Sequence, residues 1–108
     1  MVPIVFALDG DRVLTAIDDK PKRSTALQRL ANIESESRVS LLADRYDEDW
    51  TRLWWVRVDG VAEILRGGGD ADRAIDLLAD RYGPYRERRP SGAVIRIEIS
   101  RWVTWPDP

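Results

Sequence analysis

The strongest local constraint on the fold is the Asp9-Gly10 pair, which separates two apolar, strand-like runs. An Asp-Gly pair between such runs is typical of a tight β-hairpin turn. The run from Val2 to Leu8 is apolar at successive positions, which predicts a strand that is buried on both faces. The run from Arg12 to Ile17 is the predicted return strand. The first structural unit of the fold is therefore an antiparallel strand pair.

The rest of the sequence combines further strand-like runs with two helix-like ones. Helices are predicted at 25–34 and 70–82, strands at 38–43, 52–65 and 93–102, and polar loops at 44–49 and 83–92. Apolar residues at regular spacing predict one buried face on three of these elements: Leu27, Leu30 and Ala31 on the first helix, Ala71, Ala74, Ile75, Leu78 and Tyr82 on the second, and Ala93, Ile95, Ile97 and Ile99 on the last strand. Gly60 interrupts the strand at 52–65, as glycine does at a bulge or a barrel corner. Strands and helices do not alternate regularly, which disfavours a doubly wound sheet. We predict one mainly β domain over 1–108, a small antiparallel barrel with two helices.

The residue types that the sequence lacks limit its chemistry. Its 108 residues include no cysteine and no histidine. This excludes disulfides, thiol catalysis, histidine-dependent hydrolysis and histidine-based metal sites. The formal net charge of −2 disfavours general nucleic-acid binding. No apolar run approaches the roughly 20 residues that span a bilayer, and no segment resembles a signal peptide. We therefore expect a cytoplasmic protein with no membrane or nucleic-acid partner.

Lys20, Lys22 and Arg23 form a cationic cluster between the second predicted strand and the first predicted helix. Pro21 fixes one backbone angle and disfavours a helical conformation at the residue before it, so these cations lie at a bend. Two ammonium groups and a guanidinium can converge there on one phosphate group. The alternative is a solvated turn in which the two preceding aspartates pair with the lysines.

A second charged segment runs from Tyr46 to Trp50 and carries three carboxylates. An acid–base pair or a site for a hard cation needs carboxylates that lie close together. A solvated loop explains the same residues and is the preferred interpretation. The glycine run at 67–69 lacks the lysine and the spacing of a phosphate-binding loop.

In this order, the segments resemble the split β-barrel family of pyridoxamine-phosphate oxidase and its deazaflavin-dependent relatives. The resemblance is carried by residues 2–7, 13–22, 30–33, 38–42, 46–50 and 53–60. The Asp-Lys-Pro-Lys turn, the Tyr-Asp-Glu-Asp-Trp loop and the Trp-Trp-Val-Arg strand are similar to one actinobacterial subgroup of oxidoreductases that use coenzyme F-420. The resemblance implies an FMN-binding-like split antiparallel β-barrel with two helices.

The resemblance also implies a function. A homodimer would hold the cofactor between its subunits and transfer a hydride between reduced coenzyme F-420 and a small organic acceptor. The cofactor would carry the redox chemistry, so neither a catalytic side chain nor a metal site is predicted. Three alternatives stay open: an FMN-binding oxidase, a cofactor-binding or carrier protein without turnover, and an inactive truncated product.

Particular residues acquire roles through the resemblance. The cofactor phosphate would be held by Lys20, Lys22 and Arg23. Backbone groups of the first two strands would line the flavin or deazaflavin ring, at Ile4, Val5, Thr15 and Ala16.

Two residues of the long strand at 52–65 complete the implied site. Trp55 is the tryptophan expected to reach the cofactor, although an anchor in the core or in a dimer interface is the commoner role for a single tryptophan. Arg57 shares its strand face and would meet a phosphate or the acidic tail of the coenzyme.

Members of the family carry a further helix and strand before the equivalent of Val2, and this sequence starts without them. Met1 would stand where relatives have an internal valine. We therefore expect the first strand to have an unpaired edge and the core to be partly uncovered.

Overall fold

A computed structural model describes residues 4–17, 23–90 and 92–106. Within these ranges, five strands form one antiparallel sheet in the order β1-β2-β5-β4-β3. The strands are β1 Ala7–Asp9, β2 Arg12–Ala16, β3 Arg38–Arg45, β4 Trp54–Leu65 and β5 Val94–Trp105. The helices are α1 Arg23–Ser35, α2 Gly69–Arg81 and α3 Gly83–Glu87, with a 3-10 turn at Trp50–Arg52. The predicted mainly β, split-barrel fold class is confirmed.

The β1–β2 hairpin has the two-residue turn that the sequence predicts. Asp9 pairs with Arg12 across it, and Gly10 occupies the first central position with φ 60°, where type II′ turns favour glycine. The prediction that the first strand is buried on both faces is wrong. Val5 and Leu8 are exposed, because β1 lies at the edge of the sheet and is covered on fewer sides than an interior strand.

The core lies on both sides of the central strand β5, which pairs with β2 and β4. On the inner face of the sheet, Val13, Ala62 and Ile95 pack with Leu30 of α1. On the outer face, the alternate residues of β2 and β5 pack against α2. Leu14 and Val94, for example, form one buried cluster with Ala74. The predicted apolar face of the last strand and the predicted buried stripe of the second helix are both confirmed.

A bulge divides the long β4–β5 ladder. Asp59 pairs with Arg101, whereas Gly60 pairs with Ile99, so Ser100 is an extra residue on β5. One extra residue reverses which face of the sheet the following side chains occupy. Ile99 therefore lies on the inner face with Gly60, whereas Arg101 lies on the outer face with Asp59. The bulge that Gly60 predicts is confirmed, and the extra residue lies on the partner strand.

Several element bounds differ from the predictions. The segment at 83–92, predicted as a loop, contains the short helix α3. Pro84 is compatible with this helix because it lies in the first turn, where backbone N–H groups have no partner within the helix. The last strand continues to Trp105 and the third to Arg45. Asp49 caps the 3-10 turn and delays β4 until Trp54. Ala31 was predicted on the apolar side of the first helix but is exposed. Of the helices that the structure describes, none has the length and apolar content needed to cross a bilayer.

At Gly60, β4 and β5 approach each other too closely to admit a side chain. A Cβ atom there would overlap the carbonyl oxygen of Glu98 and lie 2.8 Å from Cγ2 of Ile97. We expect Gly60→Ala to lower the free energy of unfolding by about 1–3 kcal/mol, because the ladder has to shift to admit the methyl group. Urea denaturation followed by tryptophan fluorescence measures this change.

Gly69→Ala is the matched control. A Cβ at Gly69 meets no atom within 4 Å, so this variant should match or exceed the parent in stability by up to about 1 kcal/mol. Equal stability of the two alanine variants would contradict the close approach at Gly60.

Candidate functional site

A cavity of about 390 Å³ opens between α1 and the inner face of the sheet. We call it the barrel cavity. Its apolar wall consists of Ile33, Val39, Leu41, Ile95 and Ile97. These residues meet there because inward positions alternate along β3 and β5 while α1 crosses above them. The volume lies within the range of small-molecule sites, and an apolar lining with a few polar groups is typical of them.

Ile4 and Thr15 line the barrel cavity together, as two of the residues assigned to the cofactor ring. The Thr15 hydroxyl donates a hydrogen bond to the Val5 carbonyl oxygen at 2.8 Å. The Tyr82 hydroxyl donates to the Phe6 carbonyl oxygen at 2.8 Å and accepts from the Phe6 N–H at 3.2 Å. These bonds hold the segment before β1 against β2 and the end of α2, which fixes one wall of the cavity.

The side chains of Val5 and Ala16 lie elsewhere. Val5 is exposed, and Ala16 is buried in a cluster with Ala7 and Leu78. Side chains alternate between the faces of a strand, so the neighbours of Ile4 and Thr15 are turned away from the cavity. The implied role of Val5 and Ala16 concerned backbone groups, and it stays a prediction.

The polar side of the barrel cavity comes from α1. Arg29, Asn32, Ile33 and Glu36 all line it, at the i, i+3, i+4 and i+7 spacing of one helix face. The Nε atom of Arg29 is buried and has no hydrogen-bond partner among the described residues. Sequence reasoning missed Arg29 and Asn32. The i, i+3, i+7 spacing was the signal that would have placed them on one face with Glu36.

Glu36 is held at the rim of the cavity by Arg38. Its carboxylate accepts from the Arg38 backbone N–H at 3.1 Å and from Arg38 Nε and Nη2 at 3.0 Å each. The hydrogen bonds from the Arg38 side chain are the largest cause that lowers the pKa of Glu36 from 4.5 to about 2. This carboxylate is therefore ionised at neutral pH and already paired.

Trp55 and Arg57 share one face of β4, as predicted. That face is the outer one, and neither residue lines the barrel cavity. Trp55 stands beside Trp105 in the sheet and lines a separate pocket of about 240 Å³. The Nε atom of Arg57 lies 3.3 Å from Oδ1 of Asp59. The Ser40 hydroxyl donates to that same oxygen at 2.7 Å, so Arg57 faces a fully engaged carboxylate.

The groove that contains Arg57 adjoins the barrel cavity around the edge of β3. It has a volume of about 630 Å³. Four residues line both spaces: Glu36, Arg38, Val39 and Ser40. A ligand that leaves the barrel cavity at this edge would therefore reach the outer face of β4.

The basic turn lies largely outside the described residues. Lys20 and Lys22 are not described, and the side chain of Arg23 is not described either. The elements on each side of the turn are in the predicted order, since β2 ends at Ala16 and α1 begins at Arg23. Phosphate binding at this turn stays a prediction.

Side chains of the acidic loop stabilise the backbone of that same loop by hydrogen bonds. Oδ1 of Asp47 accepts from the Asp49 N–H at 2.9 Å, and Oδ1 of Asp49 accepts from the Thr51 N–H and hydroxyl at 3.1 and 2.7 Å. The bonds from Thr51 lower the pKa of Asp49. In the part of the chain that the structure describes, no three acidic side chains converge in a way that suits a metal ion.

The pairing at the cavity rim gives a pH prediction. The pKa of Glu36 is lower in the folded chain than its ordinary value of 4.5. The pair therefore stabilises the fold fully above pH 4.5, and this contribution is lost as the pH falls toward 2. We expect Arg38→Gln to return the pKa of Glu36 toward 4.5, measured by NMR titration of the side-chain carboxyl carbon.

Arg52→Gln also removes an exposed guanidinium, from the distant 3-10 turn, and should leave the Glu36 titration unchanged. A Glu36 pKa near 4.5 in the unmodified chain would contradict the observed pairing.

Comparison with protein families supplies an independent result. The model of the pyridoxamine 5'-phosphate oxidase family matches residues 1–106. No curated protein matches the chain. Members of this family are commonly oxidoreductases that bind flavin cofactors of the FMN type. The match spans both sides of the barrel cavity and every described strand and helix, so the chain belongs to the pyridoxamine 5'-phosphate oxidase family.

Proposed function

We propose that this chain is an oxidoreductase that transfers a hydride between reduced coenzyme F-420 and a small organic acceptor. Family membership supports the oxidoreductase class and a flavin-type cofactor. The choice of F-420 rests on the likeness of the basic turn, the acidic loop and the strand at 53–60 to the F-420-dependent subgroup. The observation that carries the proposal is the barrel cavity, where Ile4 and Thr15 meet the polar face of α1.

The residues of the barrel cavity fit a flat, conjugated ring that bears carbonyl groups at one edge. Ile33, Val39 and Leu41 offer apolar surface to the ring faces, and backbone groups beside Ile4 and Thr15 would meet its carbonyl edge. A bound deazaflavin would supply the hydride. The chain's own residues would bind the ring and exclude water from it.

The same residues also fit FMN, which is the second candidate cofactor. The family's usual flavin type favours FMN. Like F-420, FMN has a flat ring that would occupy the cavity and a phosphate that would bind the basic turn. FMN is yellow and commonly stays bound during purification, so a yellow protein would favour FMN over F-420.

We further propose that two copies of the chain pack together through the outer face of β3, β4 and β5. Leu42 and Trp105 are 58% and 46% exposed there, and Trp55 and Val103 lie on the same face. Exposed apolar and aromatic groups of this kind mark protein–protein contacts. The partner would cover the groove that leads from the barrel cavity to Arg57, which places a cofactor between subunits.

The basic turn provides the direct test of cofactor binding. We expect Lys20→Ala and Lys22→Ala each to weaken binding of F-420 by about 1.5–3 kcal/mol, because each removes a charge-assisted hydrogen bond to the phosphate. Calorimetric titration with F-420 and FMN measures the loss. Arg86→Ala with Arg88→Ala removes the same charge from exposed positions at α3 and should leave both affinities unchanged.

The two lysines of the turn are the only lysines of the sequence, which gives a second readout. Reductive methylation with ¹³C-formaldehyde keeps their charge. It labels the two lysines of this turn and, in addition, the amino terminus. Cofactor binding should shift both lysine methyl signals. Unshifted signals together with unchanged affinities in the alanine variants would refute the phosphate assignment.

The dimer proposal predicts an effect of charge on the outer face. Leu42→Glu should convert the dimer to a monomer, because the carboxylate would be buried in an apolar interface where the neighbouring Arg57 is already paired with Asp59. Sedimentation equilibrium measures the mass. Leu8→Glu makes the same change at a side chain that is 50% exposed on β1, away from the proposed interface, and should stay dimeric. A parent chain that is monomeric would contradict the proposal.

A further inference from the structure

Arg29 is the least satisfied buried donor of the barrel cavity. Its Nε is buried without a hydrogen-bond partner among the described residues, and its side chain lines the cavity. A buried polar group that makes no hydrogen bond destabilises the fold, so a ligand that accepts from it gains affinity. Arg57, the other arginine with a buried and unbonded Nε, differs because that atom lies 3.3 Å from Asp59 Oδ1. Among the described residues, Arg29 has no ion-pair partner of the kind that Asp59 is for Arg57.

The neighbours of Arg29 in the cavity do not supply that counter-ion. Glu36, the carboxylate of the cavity lining, is bound by the backbone and side chain of Arg38. The Thr15 hydroxyl is bonded to the Val5 carbonyl oxygen. In the described lining of the cavity, the charge of Arg29 therefore remains without a paired carboxylate.

Asn32 adds a second donor beside Arg29, one helical turn further along α1. Its Oδ1 already accepts from Gln28 Nε2 at 2.9 Å, and its amide nitrogen still has N–H groups to donate. The guanidinium of Arg29 and the amide of Asn32 therefore both offer N–H donors on this side of the cavity. A ligand that fits them presents acceptor atoms and negative charge toward α1, and an apolar body toward β5.

We propose that Arg29, assisted by Asn32, binds a carboxylate of the acceptor substrate, which makes the substrate a small organic acid with an apolar, ring-sized body. The inference rests on the proposed function, since it names the substrate class for that same site. A planar guanidinium pairs with both oxygens of a carboxylate, and burial strengthens that pair. Ile95 and Ile97 are buried at the opposite wall and suit the apolar body.

A carboxylate suits the cavity better than a phosphate does. Phosphate groups are usually bound by several cations or by a helix N-terminus. Within the described lining of the cavity the second guanidinium, that of Arg38, is already paired with Glu36, and α1 contributes a mid-helix position. One guanidinium and one amide match the charge and size of a carboxylate.

The experiment uses benzoate as the probe and benzamide as its neutral counterpart of the same shape. Both are titrated into the full chain, and the arginine Nε–H signals are followed by ¹H–¹⁵N NMR. We expect benzoate to shift the Arg29 signal and to bind at least about tenfold more tightly than benzamide, as one charge-assisted pair provides. Equal affinity of the two probes would overturn the proposal without any variant.

Arg29→Met should weaken benzoate binding by about tenfold or more and leave benzamide binding unchanged. Arg29→Lys keeps the charge and should retain part of the affinity, which also tests the site if the methionine variant fails to fold. Arg52→Met is the control for a lost surface charge and should leave benzoate binding at the parent value. Unaltered benzoate binding in both Arg29 variants would refute the assignment.

Titration of benzoate in the presence of F-420 or FMN separates this inference from the proposed function. Joint binding supports a substrate role for Arg29. Mutual exclusion would overturn it, because Arg29 would then serve the cofactor ring. Benzoate binding to a chain that binds neither cofactor would refute the proposed function while leaving the carboxylate site in place.

Discussion

The pairing of β4 with β5 is the constraint on which the rest of the molecule depends. β5 joins the β1–β2 hairpin on one side to the β3–β4 pair on the other. The position of β5 therefore fixes both walls of the barrel cavity. The bulge at Ser100 then decides what each face of the sheet presents. Before it, Ile95 and Ile97 face inward. After it, Trp105 faces outward beside Trp55, a position that an unbroken ladder would have turned toward the cavity side.

The wall of the cavity that precedes β1 depends on a second set of contacts, centred on Phe6. The guanidinium of Arg81 lies over the Phe6 ring, 4.9 Å from its centroid, and donates to the Phe6 carbonyl oxygen at 3.0 Å. Tyr82 bonds both backbone groups of the same residue. An edge segment with few ladder partners is thereby held by the end of α2. The position of Ile4 in the cavity follows from α2 packing as much as from strand pairing.

Features set by neighbouring residues were predictable from the sequence, whereas features set by distant ones were not. The Asp9-Gly10 turn, the buried stripe of α2 and the bulge at Gly60 each have a local cause that the sequence displays. The exposure of Leu8 does not, because it depends on β1 lying at the sheet edge. Ile4 and Thr15 were assigned through family resemblance. Arg29 was not predicted, because its role depends on which carboxylates other residues already occupy.

Helix α1 links the two anion sites that the proposals assign. It begins at Arg23, next to the basic turn, and reaches Arg29 six residues later, about 9 Å along its axis. A rigid helix fixes that separation, so a cofactor phosphate at its start and a substrate carboxylate near its middle would be held at a constant distance. Leu30 and Ile33 pack this helix onto the inner face of the sheet. The packing of one apolar stripe would therefore set the relative positions of cofactor and substrate, which is the geometry that hydride transfer requires.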